Sequence, residues 1–176
     1  MAESTTPSPT EQLTIVPARE ADVDMVLGIL YEAADWLALK GFDTFWKKPW
    51  LTRESVLPRI RQHEVFLAKL DDRVVGTITL QWDDPVYWNG APADAGYIHK
   101  FAVRRAYSGR KIGDSMMRWA EEEAVRAGKK YLRLDCLAAN KGIREYYEKK
   151  GFIYQRDISP RDWRASLYEK RISTIS

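Results

Sequence analysis

Between Gly96 and Phe152 the chain changes its hydrophobic period again and again, and that alternation limits the fold more than any other feature. Gly96–Arg104 alternates like a strand. Gly109–Ala127 carries Ile112, Met116, Trp119, Ala120 and Ala124 along one helical face, and Gly128 closes it. Tyr131–Leu137 is again strand-like. Asn140–Lys150 reads as a helix closed by Gly151. Strands that alternate with helices need one sheet with helices on its faces, a mixed α/β architecture.

The flanks fit the same plan. Leu13–Val16 is a short strand, and Glu20–Leu39 is a helix with Val23, Val26, Leu27, Leu30, Ala34 and Leu37 at helical spacing. Thr52 can cap a second helix to about His63, with Pro58 expected to kink or break it. Val65–Leu70 and Val74–Trp82, joined by Asp71-Asp72-Arg73, form a hairpin signal. Phe152–Asp157 and Ala165–Arg171 read as a final strand pair. Residues 1–11 are rich in Ser, Thr, Pro and Glu and read as a flexible tail, which leaves 12–176 as a single domain. With 45% hydrophobic residues, the 176-residue chain can bury a full core.

Composition removes several classes. A net charge of +3 is too small to argue for nucleic acid. No apolar run approaches the ~20 residues of a membrane span, and the N-terminus lacks the basic flank and apolar core of a secretory signal. Cys136 is the single cysteine, so no internal disulfide forms, which suits a reducing cytoplasmic setting. With only His63 and His99, the chain offers little to a histidine-rich metal site, and no metal is expected.

The turn after the Gly96–Arg104 strand is where chemistry gathers. Four of the eight residues from Arg104 to Lys111 are basic, and Gly109 and Gly113 flank the start of a helix. Backbone N–H groups at a helix start have no partner within the helix, and the helix dipole adds positive potential there. Such a turn can cradle phosphate, although on its own residues it reads more simply as an ordinary strand–helix connection. Downstream, Leu132–Cys136 leads to Asn140 and then to Tyr146-Tyr147-Glu148-Lys149-Lys150-Gly151-Phe152.

Taken together, these motifs resemble the GCN5-related N-acetyltransferase (GNAT) superfamily, closely over 96–152 and by element order over about 13–171. The resemblance implies one acyl-CoA N-acyltransferase domain whose central mixed sheet has two splayed parallel strands. It implies an enzyme moving an acetyl group from acetyl-CoA directly to an amine, with no covalent enzyme intermediate. Implied cofactor contacts are Phe101, Ala102, Val103, Ser108, Gly109, Arg110, Lys111, Ile112, Gly113, Asp114, Asn140 and Tyr147. The chain departs from the family turn at one place: Lys111 stands at the first glycine position, where a left-handed backbone would cost roughly 1 kcal/mol or more.

Tyr147, four residues before Gly151-Phe152, matches the family's proton donor, with Tyr146 as its competitor. An oxyanion donor is expected among the backbone N–H groups near Phe101–Val103. Strand alternation puts Tyr97, His99, Phe101 and Val103 on one face, and His99 is the candidate base beside a purely structural reading. Asp83 and Asp84 are alternative carboxylates that read more simply as a turn. Phe45, Trp46, Trp82, Trp88 and Tyr97 are the expected acceptor-site residues. They suit a small-molecule amine, with a peptide amine or a non-catalytic acyl-CoA-binding module as the rival readings. Members of the family are often dimers, so a homodimer is compatible.

Overall fold

The computed structural model describes residues 11–42, 46 and 49–173. The tail expected over 1–11 lies almost wholly outside them, and so does Phe45. Strand β1 (Leu13–Pro17) leads through a short 3-10 turn at Glu20–Asp22 to α1 (Val23–Leu39) and α2 (Arg53–Arg61). Then come β2 (Val65–Leu70), β3 (Arg73–Gln81), β4 (Ala95–Val103), α3 (Ile112–Arg126), β5 (Tyr131–Leu137), α4 (Lys141–Lys149), β6 (Ile153–Ile158) and β7 (Ala165–Arg171). All seven strands join one mixed sheet in the order β1-β2-β3-β4-β5-β7-β6.

Local chemistry explains the ends. Thr52 caps α2 by accepting from the Ser55 amide at 3.2 Å, and the Ser55 hydroxyl takes the Thr52 amide at 3.0 Å in return. This capping box satisfies two otherwise orphaned donors. The helix then runs through Pro58 to Arg61, so the expected early break does not occur. Asn140 caps α4 by accepting from the Ile143 amide at 3.1 Å.

Two cores cover the sheet. On one face α3 and α4 pack Ile112, Met116, Ala120 and Tyr147 against Ile78, Leu80, Ile98, Leu132 and Leu134. On the other, α1 and α2 bury Val26, Leu30, Val56 and Ile60 against Val65, Leu67 and Ala102. A smaller cluster of Trp88, Ala95, Tyr97 and Leu167 lies on this second face beyond the helices.

The central pair decides the rest. β4 and β5 run parallel and are registered at Ala95–Tyr131, Gly96–Leu132, Tyr97–Arg133 and Ile98–Leu134. Pairing stops there, although β4 continues to Val103 and β5 to Leu137. Below the parting, the buried Arg133 guanidinium holds the closed half together. It donates to Glu169 at 2.7 Å, to the Tyr97 hydroxyl at 2.9 Å, and to Asp94 and the Pro92 carbonyl at 3.1 Å. Its charge also lies 5.2–5.7 Å from the rings of Trp88, Tyr97 and Tyr131.

β4 is also bulged. Thr79 faces His99 while Thr77 faces Ala102, so β4 carries one residue more than β3 across this interval. Lys100, at φ +44°, takes the left-handed turn that the extra residue requires. A bulge shifts side-chain alternation by one. Phe101 and Val103 therefore pack with Ile98 against the α3 face, whereas Tyr97 belongs to the opposite cluster. The expectation that Tyr97, His99, Phe101 and Val103 share one face is corrected by this extra residue.

Lys111 occupies the left-handed conformation at φ +58°, ψ +21°, immediately before α3, and its side chain gives no capping hydrogen bond. The backbone strain expected of a lysine there is present. Lys111→Gly is expected to raise unfolding free energy by up to about 1 kcal/mol in chemical denaturation. An unchanged or lower midpoint would show that the lysine ammonium offsets the strain.

Candidate active site

The open half of the β4–β5 seam is flanked by chemistry on both faces. The first unpaired residues are His99 on β4 and Asp135 on β5, and their side chains meet, Nδ1 to Oδ1, at 3.4 Å. From the β3–β4 connection Asp84 approaches the other ring nitrogen, Oδ2 to Nε2, at 2.8 Å. All three side chains are largely enclosed, with exposures of 17% for His99, 12% for Asp135 and 7% for Asp84. Neither facing carboxylate oxygen receives an aligned hydrogen bond, so both contacts are close but bent.

Electrostatics follow from that enclosure. Burial pushes the Asp135 carboxyl up to about 6, with Asp84 adding to the rise and His99 and Lys100 opposing it. The Lys100 ammonium is pushed down, first by burial and then by Arg59. Tyr87 stands with its ring 5.7 Å from that of His99, and its phenol is pushed well up by burial and by the Asp135 and Asp84 charges. The Trp163 ring lies 6.3 Å from Tyr87 on the outer side.

Asp84, His99 and Asp135 are also the place where ligand atoms gather within 4.8 Å of one another. The imidazole turns a different nitrogen to each carboxylate.

On the opposite face Tyr147 is buried at 6% exposure, edge-on to Tyr146 and Phe152. Burial, then Cys136, Tyr146 and Asp135, push its phenol well above the ordinary tyrosine value, so it stays a proton donor at neutral pH. Its competitor is committed elsewhere: the Tyr146 hydroxyl donates to Asp114 at 2.9 Å, and Lys150 pairs with the same carboxylate at 2.7 Å. Those two partners, Lys150 first, hold the Asp114 carboxyl below its usual range. Cys136 is buried and its thiol is pushed up to about 12, which leaves it unreactive.

At the mouth of the seam, Ser108, Gly109, Arg110 and Lys111 form an exposed turn leading into α3. Gly109 has φ +78° and open space around it. A Cβ on Gly113 would meet Phe101 at 3.4 Å and the Tyr146 hydroxyl at 3.5 Å, ordinary contact distances, so protein packing alone does not demand glycine there. The Arg110 guanidinium is paired with Glu11. Ile112 and Ala102 bury their side chains in the two cores and the Asp114 carboxylate is taken, so these three have only backbone to offer a ligand. Asn140 is an N-cap, with its amide N–H₂ free of that role.

The expected acceptor-site aromatics fare differently. Trp88 and Tyr97, at 5% and 3% exposure, are buried around Arg133. Trp82 is half exposed but touches Gly96 at the far end of β4, with Lys129, just beyond α3, 5.8 Å from its ring. That is the end of α3 opposite the Ser108–Lys111 turn. Trp46 packs against the α1–α2 core. The aromatic that does stand beside His99 is Tyr87, with Trp163 against it in turn, and sequence reasoning singled out neither. Asp135 was missed as well, since an aspartate in a strand that is apolar but for it and Arg133 carried the signal but not the partner. Asp84 does make its turn, accepting from the Tyr87 amide at 3.2 Å, and reaches His99 with its other oxygen.

A mixed sheet whose central parallel pair parts midway, followed by a helix at the parting, is the fold of the acetyltransferases that this chain matches. The Acetyltransferase (GNAT) family model matches residues 31–152, and the chain belongs to that family and is an N-acetyltransferase. It is 25% identical over 145 residues, 78% of this chain and 80% of the relative, to the uncharacterized N-acetyltransferase YesJ of Bacillus subtilis (strain 168). It is 29% identical over 104 residues, 57% of this chain and 61% of the relative, to the S-(2-succino)cysteine N-acetyltransferase of the same organism. Among solved structures, the PaiA N-acetyltransferase of Thermoplasma acidophilum in complex with coenzyme A superposes with a TM-score of 0.74 at 18% identity, over 91% of this chain and 99% of that one. No helix among the described residues is long and apolar enough to cross a membrane.

The raised Asp135 carboxyl has a consequence for stability. A carboxyl that is harder to ionise when folded favours the folded state at low pH, and that contribution is lost as pH rises through the folded value. Asp135→Asn is therefore expected to melt higher than the parent at pH 8. The gap should narrow as pH falls from about 6 towards about 4. A gap that does not change with pH would contradict the burial of an ionised Asp135.

Proposed function

We propose that this chain acetylates the primary amine of a small molecule with acetyl-CoA as donor, by acid–base catalysis across the open seam. The observation that carries this reading is the register of β4 and β5, which ends at Ile98–Leu134 while both strands continue. The unpaired edge of β4, from His99 to Val103, offers backbone groups that an amide-bearing arm can pair with as an added strand. The exposed Ser108–Lys111 turn and the first amides of α3 suit a pyrophosphate, with the Arg110 and Lys111 charges added. The lack of any side-chain cap from Lys111 leaves that helix start for a ligand. Bound acetyl-CoA supplies the acetyl group as a thioester.

The protein's own part is positioning and proton movement. An alkylammonium near ~10 must lose a proton before its nitrogen can attack, and the acid–base group around His99 is placed to accept it. A backbone N–H of the bulged Lys100–Val103 segment stands where the oxyanion develops. Tyr147, on the opposite face, donates to the leaving sulfur. Tyr87, backed by Trp163, stands over His99, which supports a small acceptor over a peptide laid in an open groove.

Release of CoA thiol, assayed against a panel of primary amines that includes S-(2-succino)cysteine, tests the reaction. Calorimetry with CoA tests the seam separately. Tyr147→Phe is expected to lower kcat about 100-fold while CoA affinity stays within about twofold. Unchanged turnover would remove Tyr147 from the mechanism. A panel in which only peptide amines react would replace the small-molecule reading.

A further inference from the structure

We infer that Asp135 takes the proton from the acceptor ammonium, and that His99, braced by Asp84, stores it. This rests on the acetyl-transfer reading and assigns the base within it. The argument begins with valence. A neutral imidazole has one N–H and one lone pair, yet His99 turns each of its nitrogens to a carboxylate. The closer approach is 2.8 Å, between Nε2 and Asp84, and the longer is 3.4 Å, between Nδ1 and Asp135; both are bent. A neutral ring has a hydrogen for at most one of these two carboxylates.

With both nitrogens occupied, His99 has none left to meet an incoming amine. Asp135 does face the reaction space, because it is the first β5 residue above the point where the strands part. The groups facing it are His99 and Lys100 of β4, Asp84 and Tyr87 of the β3–β4 connection, and Cys136 and Tyr147 on the helical side. In that enclosure its carboxylate is a stronger base than a solvated one, yet remains ionised at neutral pH.

The step balances without any co-reactant. An N–H bond of the ammonium breaks, its electron pair stays on nitrogen, and an O–H bond forms at Asp135. The proton then moves to the Nδ1 lone pair. The resulting imidazolium presents one N–H to each carboxylate, and solvent removes the proton after the product leaves. Asp135 is thus a catalytic residue and Asp84 a positioning residue that acts through His99.

Two measurements test this. The first is an infrared pH titration of the substrate-free protein. It should show one carboxyl protonating near pH 6 that is absent from Asp135→Asn. If Asp135 instead titrates with ordinary carboxylates near about 4, the proposal fails. The second measures CoA release with S-(2-succino)cysteine, or with whichever panel amine turns over fastest. Asp135→Asn should lower kcat at least about 100-fold with the KM for acetyl-CoA within about twofold, and Asp135→Glu should restore part of it. Asp84→Asn should cost about tenfold and shift the acid limb of the pH–rate profile. An Asp135→Asn enzyme with parental turnover and an unmoved acid limb would overturn the assignment. If no amine reacts at all, the acetyl-transfer reading falls, and the infrared titration still decides whether the proton store exists.

Discussion

The parting of β4 from β5 is the constraint on which the rest of the molecule depends. Parallel neighbours ordinarily pair along their whole overlap, because unpaired backbone donors and acceptors in a sheet interior are costly. Here the overlap is cut short at Ile98–Leu134, and the extra residue at the Lys100 bulge turns β4 away from its neighbour. The same bulge reverses the side-chain alternation. It sends Phe101 and Val103 to the helical face and leaves His99 and Lys100 with the carboxylates. One inserted residue thus opens the sheet and sorts the side chains that face the opening.

Charge within the opening is arranged by burial rather than by a single strong pair. Burial, and then the nearby Asp84 charge, raise the cost of ionising Asp135, and the imidazole of His99 and the desolvated Lys100 relieve it. Tyr146 is drawn off to Asp114 and Lys150, which leaves Tyr147 as the phenol next to the seam. The two faces of the sheet therefore carry different groups beside the seam, a carboxylate–imidazole cluster on one side and a phenol on the other.

Much of this was legible in the sequence. The order of elements, the helix at Gly109–Ala127, the cap at Asn140 and the left-handed strain at Lys111 follow from spacing and turn chemistry, which are local. The Tyr147-x-x-x-Gly151-Phe152 pattern pointed to the phenol that the fold does bury beside the seam. What was not legible is non-local or parity-dependent. Nothing in Tyr97–Val103 announces a bulge, so simple alternation put Tyr97 on the same face as Phe101. Trp88 looked available because it lies in a loop, but Arg133, a long way off in sequence, draws it inward. The meeting of Asp84 with His99 and Asp135 joins three separate elements, and no spacing rule links them.

The Arg133 assembly has a further meaning for how the enzyme loads. Because the guanidinium fastens Tyr97, Glu169, Asp94 and the surrounding rings beneath the parting, the lower half of the fork is clamped while its tines stand apart before any guest arrives. An arm bound as proposed above would break no existing ladder to enter, and its amides would meet backbone partners already held in place. The wedge is a feature of the folded resting molecule, braced from behind by a residue on the closed side of the parting.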